Sequence, residues 1–249
     1  MSDKRQTHSA NLLKAEGLSE SATQSIKTRA YADAHKLIQN ALVLVEEHED
    51  SASQTQTAKL FCQLGTVHIE QGQWAEAEQN LESSLQLSRA LKVFSLSAEA
   101  LVKLGQNAFK QGKFEVANNY LEEAVTVSAS IEDLSAQAFA KLWLGAVAAL
   151  SGEYKPAEIE LLEAVSLASL ANNKSTEGRA RNILGENARL NGHHETAINH
   201  YQHALTIYES IEDRFGMTMV IHNLGHVMTM IGEFELALKH YNDSLAMAV

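Results

Sequence analysis

The sequence predicts an all-α fold, a solenoid of antiparallel helix pairs, from three observations. Leu-Gly pairs stand at Leu64-Gly65, Leu104-Gly105, Leu144-Gly145, Leu184-Gly185 and Leu224-Gly225, 40 residues apart each time. A fixed figure follows each pair. It consists of a second glycine (Gly72, Gly112, Gly152, Gly192, Gly232), a ring two residues on (Trp74, Phe114, Tyr154, His194, Phe234), an alanine (Ala77, Ala117, Ala157, Ala197, Ala237) and a large residue (Leu81, Leu121, Leu161, Tyr201, Tyr241). Composition agrees: Pro156 is the only proline in 249 residues, 45% of the chain is apolar, and Ala, Leu, Glu and Gln abound, a mixture that favours helix.

Each position has a physical reading. The second glycine suits the left-handed residue that closes a helix. The ring opens the next helix, and the alanine and the large residue follow at i+3 and i+7 on one apolar stripe. The first glycine and the alanine are small where two antiparallel helices press together. Such a hairpin cannot bury its own apolar face and has to stack on neighbours.

In chain order, residues 1–8 are expected to be disordered. Residues 9–53 read as a degenerate N-terminal hairpin with helices over about 9–28 and 31–49. There "AYADAHKLIQNAL" sets Tyr31, Ala34, Ile38 and Ala41 in the repeat's phase without either glycine, and divergent ends are usual for solenoids. Residues 54–249 hold five regular repeats. The last hairpin reaches "SLAMAV" with no later helix to cover its outer side. The expectation is a longer natural chain, or a second surface that covers Phe234, Leu238, Tyr241 and Leu245.

This pattern resembles the tetratricopeptide repeat (TPR) family over about residues 54–249. The resemblance implies a right-handed superhelix whose first helices line a concave groove. The period is 40 where the family's is about 34. The proline usual near the end of the second helix is replaced by Arg89, Ala129, Ser169 and Glu209. Without it each helix is expected to run on by nearly a turn. Forty-residue repeats of this kind are similar to those of Pins-type G-protein signalling modulators and of TPR arrays in bacterial signalling regulators. The joints "SIEDLSA" and "SIEDRFG" strengthen that likeness.

The family's groove-facing positions of the first helix, carried onto this chain, fall on Lys59, Cys62, Gln63 and Thr66 in the first regular repeat and on Glu99, Val102 and Lys103 in the second. The third repeat supplies Phe139, Leu142 and Trp143, an apolar set where a solvated face would be polar. The fourth supplies Arg179, Asn182, Glu186 and Arg189, whose forked donors and amide suit a carboxylate or an extended backbone. The fifth supplies His222, Asn223 and His226. These ten residues of the last three repeats form the candidate partner-binding set. Packing between hairpins is the competing role for the aromatics, and ordinary solvation for the polar residues. His222 and His226 share a helical face, but "HNLGH" lacks the glutamate of the zinc-protease helix, so no metal is assigned.

The function expected is a protein- or peptide-binding scaffold that uses the groove. The alternative is a ligand- or peptide-sensing regulatory domain of a bacterial signalling protein whose effector domain lies outside this chain. The partner would be a protein or peptide segment with an apolar side chain and an acidic group, and the uncapped C-terminal hairpin would be a self-association surface. A net charge of -11 argues against nucleic acid and anionic membrane. The apolar run "WLGAVAAL" is far short of the roughly 20 residues that span a bilayer, and the polar start has no signal-peptide core, so a cytoplasmic protein is expected. Cys62 is the only cysteine and cannot pair within the chain. No nucleophile, phosphate loop or carboxylate constellation appears, so neither enzyme activity nor a cofactor is expected.

Overall fold

The computed structural model describes residues 2–45 and 48–248, with side chains over 7–45 and 48–247. Twelve helices run in order: α1 (Ser2–Lys27), α2 (Tyr31–Val45), α3 (Ser51–Glu70), α4 (Trp74–Ala90), α5 (Phe94–Lys110), α6 (Phe114–Ser130), α7 (Leu134–Leu150), α8 (Tyr154–Leu170), α9 (Lys174–Leu190), α10 (His194–Ser210), α11 (Arg214–Met230) and α12 (Phe234–Ala248). No strand occurs among the described residues. The chain divides into two compact units, residues 1–131 and 132–249. In the first, the hairpins α1/α2, α3/α4 and α5/α6 stack so that α3 lies between α1 and α5. In the second, α7/α8, α9/α10 and α11/α12 stack with α9 between α7 and α11.

Two differences from expectation lie at the start. Residues 2–8 are helical, the opening turns of α1, and Met1 lies outside the described residues. A physical reason is visible at residue 8, where the His8 ring meets the Asp50 carboxylate at 2.9 Å and lies 3.8 Å from the His48 ring. The first regular repeat begins at Ser51 rather than residue 54, because Asp50 accepts the backbone N–H groups of Ala52 and Ser53, both at 3.1 Å. That is a helix N-cap. The stretch at 46–47 lies outside the described residues.

From α4 to α11 every helix has 17 residues, so the second helix of a repeat runs as long as the first. Three-residue turns separate them. The glycine turns behave as read: Gly72, Gly112, Gly152, Gly192 and Gly232 have φ between +73° and +84°. Halfway between them Lys92, Glu132, Asn172 and Glu212 take the same left-handed conformation at φ 52–58°. Both kinds of turn close identically. The N–H of Gln73 bonds to the carbonyl of His68 at 2.9 Å, and that of Val93 to Ser88 at 2.8 Å, the bond of a Schellman cap. The backbone therefore repeats every 20 residues, and only the side chains repeat every 40.

The core follows the repeat positions. Ala77, Ala117, Ala157 and Ala197 are fully buried, as are Leu81, Leu121, Leu161 and Tyr201. A Cβ placed on Gly65, Gly105 or Gly145 would come within 2.5–2.6 Å of Cγ of the leucine sixteen residues on, so the glycine is what lets the leucine seat. One local exchange of volume is specific to the second unit. Tyr208, fully buried, stands where earlier repeats have Ser88, Ser128 and Ala168. Its ring fits because Gly178 and Gly216 flank it. A Cβ on Gly216 would meet the ring at 2.4 Å and one on Gly178 at 3.0 Å.

Candidate functional site

The ten candidate residues all lie on α7, α9 and α11, the adjacent first helices of the second unit. On α7, Phe139 and Trp143 are one turn apart, and their rings meet edge to face with centroids 6.3 Å apart. Arg179 on α9 lays its guanidinium carbon 5.2 Å from the Phe139 ring and 5.6 Å from the Trp143 ring. Guanidinium stacking on aromatic faces is favourable. Phe139 and Arg179 are half-buried, whereas Trp143 keeps only 7% of its surface. Trp143 is thus mainly the support of the other two.

Leu142 has to be corrected. It is completely buried, and Cys62 and Val102, which hold the same position in their own repeats, expose only 1% and 3%. Neighbouring side chains cover that position in these three repeats, whereas Asn182 and His222 at the same position are half-buried and exposed, so Leu142 presents no surface to a partner.

Further along α9 the polar residues meet one another. Asn223 on α11 donates to the Asn182 side-chain carbonyl at 3.0 Å. Glu186 accepts from Arg189 Nε at 3.0 Å and from the Tyr201 hydroxyl at 3.0 Å, and a second Arg189–Glu186 contact closes a forked pair. Burial pulls the Glu186 pKa upward, but the Arg189 and Tyr201 hydrogen bonds and the Arg189 charge outweigh it and hold the group below its ordinary value. Arg189 already has its carboxylate, so the expectation that it receives a partner's acid is not supported by this geometry. The exposed rings of His222 and His226 lie 4.9 Å apart and both contact the Tyr241 ring, at 5.3 and 5.9 Å. No group of three or more His, Cys, Asp or Glu that could hold a metal ion occurs among the described residues.

The C-terminal hairpin carries an exposed apolar stripe: Phe234, Leu238 and Leu245 expose 68%, 62% and 67%. The equivalents of Leu245, Leu85 and Val165, expose 6% and 8% where a following first helix covers them.

In the first unit, groove-facing positions read from the first two regular repeats line a second concavity. A cleft of about 560 Å³ opens between α1, α3 and α5, lined by residues that include Glu20, Thr23, Lys27, Lys59, Glu99 and Lys103. Its third wall is α1, the first helix of the degenerate N-terminal hairpin. Beneath it Cys62 is buried, and burial with the nearby Glu99 charge holds its thiol well above its ordinary pKa. It is an inert thiol.

No helix among the described residues is long and apolar enough to cross a membrane. The tetratricopeptide repeat family matches residues 56–130 and 179–248. No curated protein matches by sequence. Solved structures with the same fold include BtubC (BKLC) from P. vanneervenii, at 18% identity and TM-score 0.69 over 94% of this chain and 91% of that one. A Rap protein complexed with Competence and Sporulation Factor aligns at 14% identity and TM-score 0.77 over 96% and 76%. A signal transduction ATPase with numerous domains and a tetratricopeptide repeat sensor, from Pyrococcus horikoshii, aligns at 14% identity and TM-score 0.71. There the alignment covers 98% of this chain but only 38% of that one.

Proposed function

We propose, from the premise that this chain belongs to the tetratricopeptide repeat family, that the wall formed by α7, α9 and α11 binds an extended protein or peptide segment. The observation that carries this is Arg179 stacked on Phe139 and Trp143. It sets an apolar, half-buried ring beside a guanidinium edge, which suits a segment with an apolar side chain next to an Asp, Glu or terminal carboxylate. The Asn182–Asn223 pair, one turn further along, offers amides to the segment's backbone.

The reading that the array senses a peptide or small ligand and controls an attached effector is a second form of the same proposal. It is supported by the company the fold keeps: the similar Rap protein is held with Competence and Sporulation Factor, and the Pyrococcus protein uses such repeats as a sensor. Self-association through the exposed Phe234, Leu238 and Leu245 stripe belongs to this proposal too. Light scattering that gives a monomer at every concentration would remove that part.

The test is to isolate partners on the immobilised chain and titrate each against wild type, Phe139→Ala and Arg179→Ala, with helix content checked by circular dichroism. A charge-assisted bond is worth about 1.5–3 kcal/mol, so Arg179→Ala is expected to weaken binding at least about tenfold and to flatten its salt dependence. Wild-type affinity in both variants would move the partner to another face.

A further inference from the structure

Three equivalent positions of the hairpin, one on the first helix and two on the second, carry opposite charge patterns in successive repeats. In the third repeat Lys141 on α7 bonds to Glu160 at 2.8 Å and to Glu163 at 2.9 Å on α8. One cation is satisfied by two carboxylates. In the fourth repeat the same positions hold Arg181, His200 and His203. The cation is kept, and imidazoles replace both carboxylates. The other regular repeats have no cation there, since Phe61, Leu101 and Ile221 take the first-helix position.

The exchange leaves hydrogen-bonding capacity unspent. Arg181 is half-buried and takes part in none of the ion pairs among the described residues. Its Nε is shielded from solvent and has no hydrogen-bond partner among the described residues, and the same holds for Nδ1 of the half-buried His200. Buried polar atoms in this condition are rare in folded proteins and call for a reason. His203, one turn beyond His200 on α10, is exposed, so the cluster opens to solvent. The charges that act on His200 are Arg181 on α9, His203 on α10 and Glu158 on α8, and the pull of Glu158 is the weakest of the three. Glu158 is exposed and forms no ion pair with Arg181. Arg181 stands two residues from Arg179, about 200° round the helix, so the cluster lies away from the α7–α9–α11 wall.

We propose that Arg181, His200 and His203 form a second binding site, for a phosphoryl group carried by inorganic phosphate or by a phosphate monoester. The guanidinium fork gives parallel N–H bonds to two oxygens of such a group. The imidazoles give N–H bonds to the remaining oxygens, which a carboxylate does not have. The bound anion takes the part that the Glu160 and Glu163 carboxylates play around Lys141. This site does not depend on the reading of the α7–α9–α11 wall.

Calorimetric titration of the intact chain at low ionic strength tests it, with four probes used separately: inorganic phosphate, N-acetylphosphoserine amide, sulfate and N-acetylglutamate amide. The expected result is one site per chain for phosphate or the monoester. Tighter binding of the first identifies the free anion, and tighter binding of the second a phosphorylated molecule. Arg181→Gln and His203→Gln should each weaken binding at least about tenfold. His200→Glu should abolish it, because it puts the chain's own carboxylate beside Arg181. Circular dichroism checks that helix content is kept, and His203→Gln changes only an exposed side chain. Sulfate keeps its charge near neutral pH, so its binding should tighten from about pH 8 to about pH 6 as the imidazoles take up protons, and should tighten less in His203→Gln. Phe139→Ala and Arg179→Ala are expected to bind all probes as wild type does, so failure here and failure of the wall reading are told apart. No binding of phosphate or monoester at millimolar concentration overturns the proposal, as does binding unchanged in the folded variants or glutamate binding as tight as phosphate.

Discussion

The Tyr201 hydroxyl, on the fully buried face of α10, donates a 3.0 Å hydrogen bond to Glu186 on α9. The equivalent residues Leu81, Leu121 and Leu161 end in hydrocarbon. Tyr201 fills the same core position and also anchors the carboxylate that holds Arg189. Tyr201→Phe keeps the packing and leaves the Arg189 bonds in place. It is expected to cost about 1–2 kcal/mol, read as a lower urea midpoint with an unchanged m-value.

Glu186 also makes stability depend on acid. Its folded pKa lies below the unfolded value of about 4.3, because Arg189 and Tyr201 outweigh burial. Its contribution is complete above that unfolded value and is lost as pH falls through the folded one. Wild type should therefore exceed Glu186→Gln in stability near neutral pH, and the gap should narrow steadily under acid. A gap that is constant with pH would remove Glu186 from this role.

The left-handed turn residues give opposite substitutions with opposite signs. Glu132 and Glu212 hold φ 55°, a conformation that costs an ordinary residue roughly 1–2 kcal/mol. Glycine avoids that cost but loses about 0.5–1 kcal/mol to its own chain entropy. Glu212→Gly is expected to be neutral to stabilising by up to about 1 kcal/mol. Gly112→Lys is expected to be destabilising by a similar amount. Nothing lies within 4 Å of a Cβ at Gly112, so its penalty is purely conformational. Thermal melts of the two variants check the pair.

Gly216→Ala places a methyl group 2.4 Å from the Tyr208 ring. The ring is caged by α9 and α11 and cannot retreat freely, so overpacking of about 1–3 kcal/mol is expected. Tyr208→Ser restores the serine of earlier repeats and should remove the penalty of Gly216→Ala, though it costs stability alone by leaving a cavity. A double-mutant cycle measures this coupling. Simple additivity would show that the two positions do not share the volume.

Repeat translation exposes an electrostatic mismatch. Lys141 on α7 bridges Glu160 at 2.8 Å and Glu163 at 2.9 Å on α8. Forty residues on, the same positions are Arg181, His200 and His203. Burial, with the Arg181 and His203 charges, lowers the His200 pKa, against the opposing pull of Glu158. Folding thus favours neutral His200, and the associated stability is lost as pH falls from the unfolded value of about 6.5 through the folded one. His200→Glu restores half of the repeat-three bridge. It should raise stability at pH 7 by up to about 1 kcal/mol and remove this acid dependence.

The repeat positions were legible because each has a steric cause that one residue type satisfies. Gly105 and Ala117 are small because Leu121 seats beside them, and Gly112 is glycine because its φ is +73°. Lys92 and Glu132 share that backbone state without sharing a residue type, so the 20-residue backbone period stayed hidden behind the 40-residue side-chain period. At the site, the residue types of Phe139, Arg179, Asn182 and Asn223 were readable, and the structure brings them together. Leu142 was misplaced because packing covers its position in repeat three, although the same position is open at Asn182 and His222. In the first-unit cleft the α3 and α5 walls, Lys59, Gln63, Thr66, Glu99 and Lys103, were readable as groove-facing positions, while the α1 wall, which carries no glycine signature, was not.

The sequence by itself determined the helical hairpins, their count from residue 54 onward and the close glycine–leucine contacts, since these follow from local backbone limits and from spacing along one helix. Only the tertiary structure decided which polar side chains are already spent on each other. Glu186 belongs to Arg189 and Tyr201, and Gln63 belongs to Ser19 and Thr23. Most of these partners sit on different helices, at separations of up to 44 residues. Hydrogen bonds and desolvation act over a few ångströms of space rather than along the chain, so availability for a ligand appears only when the helices are set side by side.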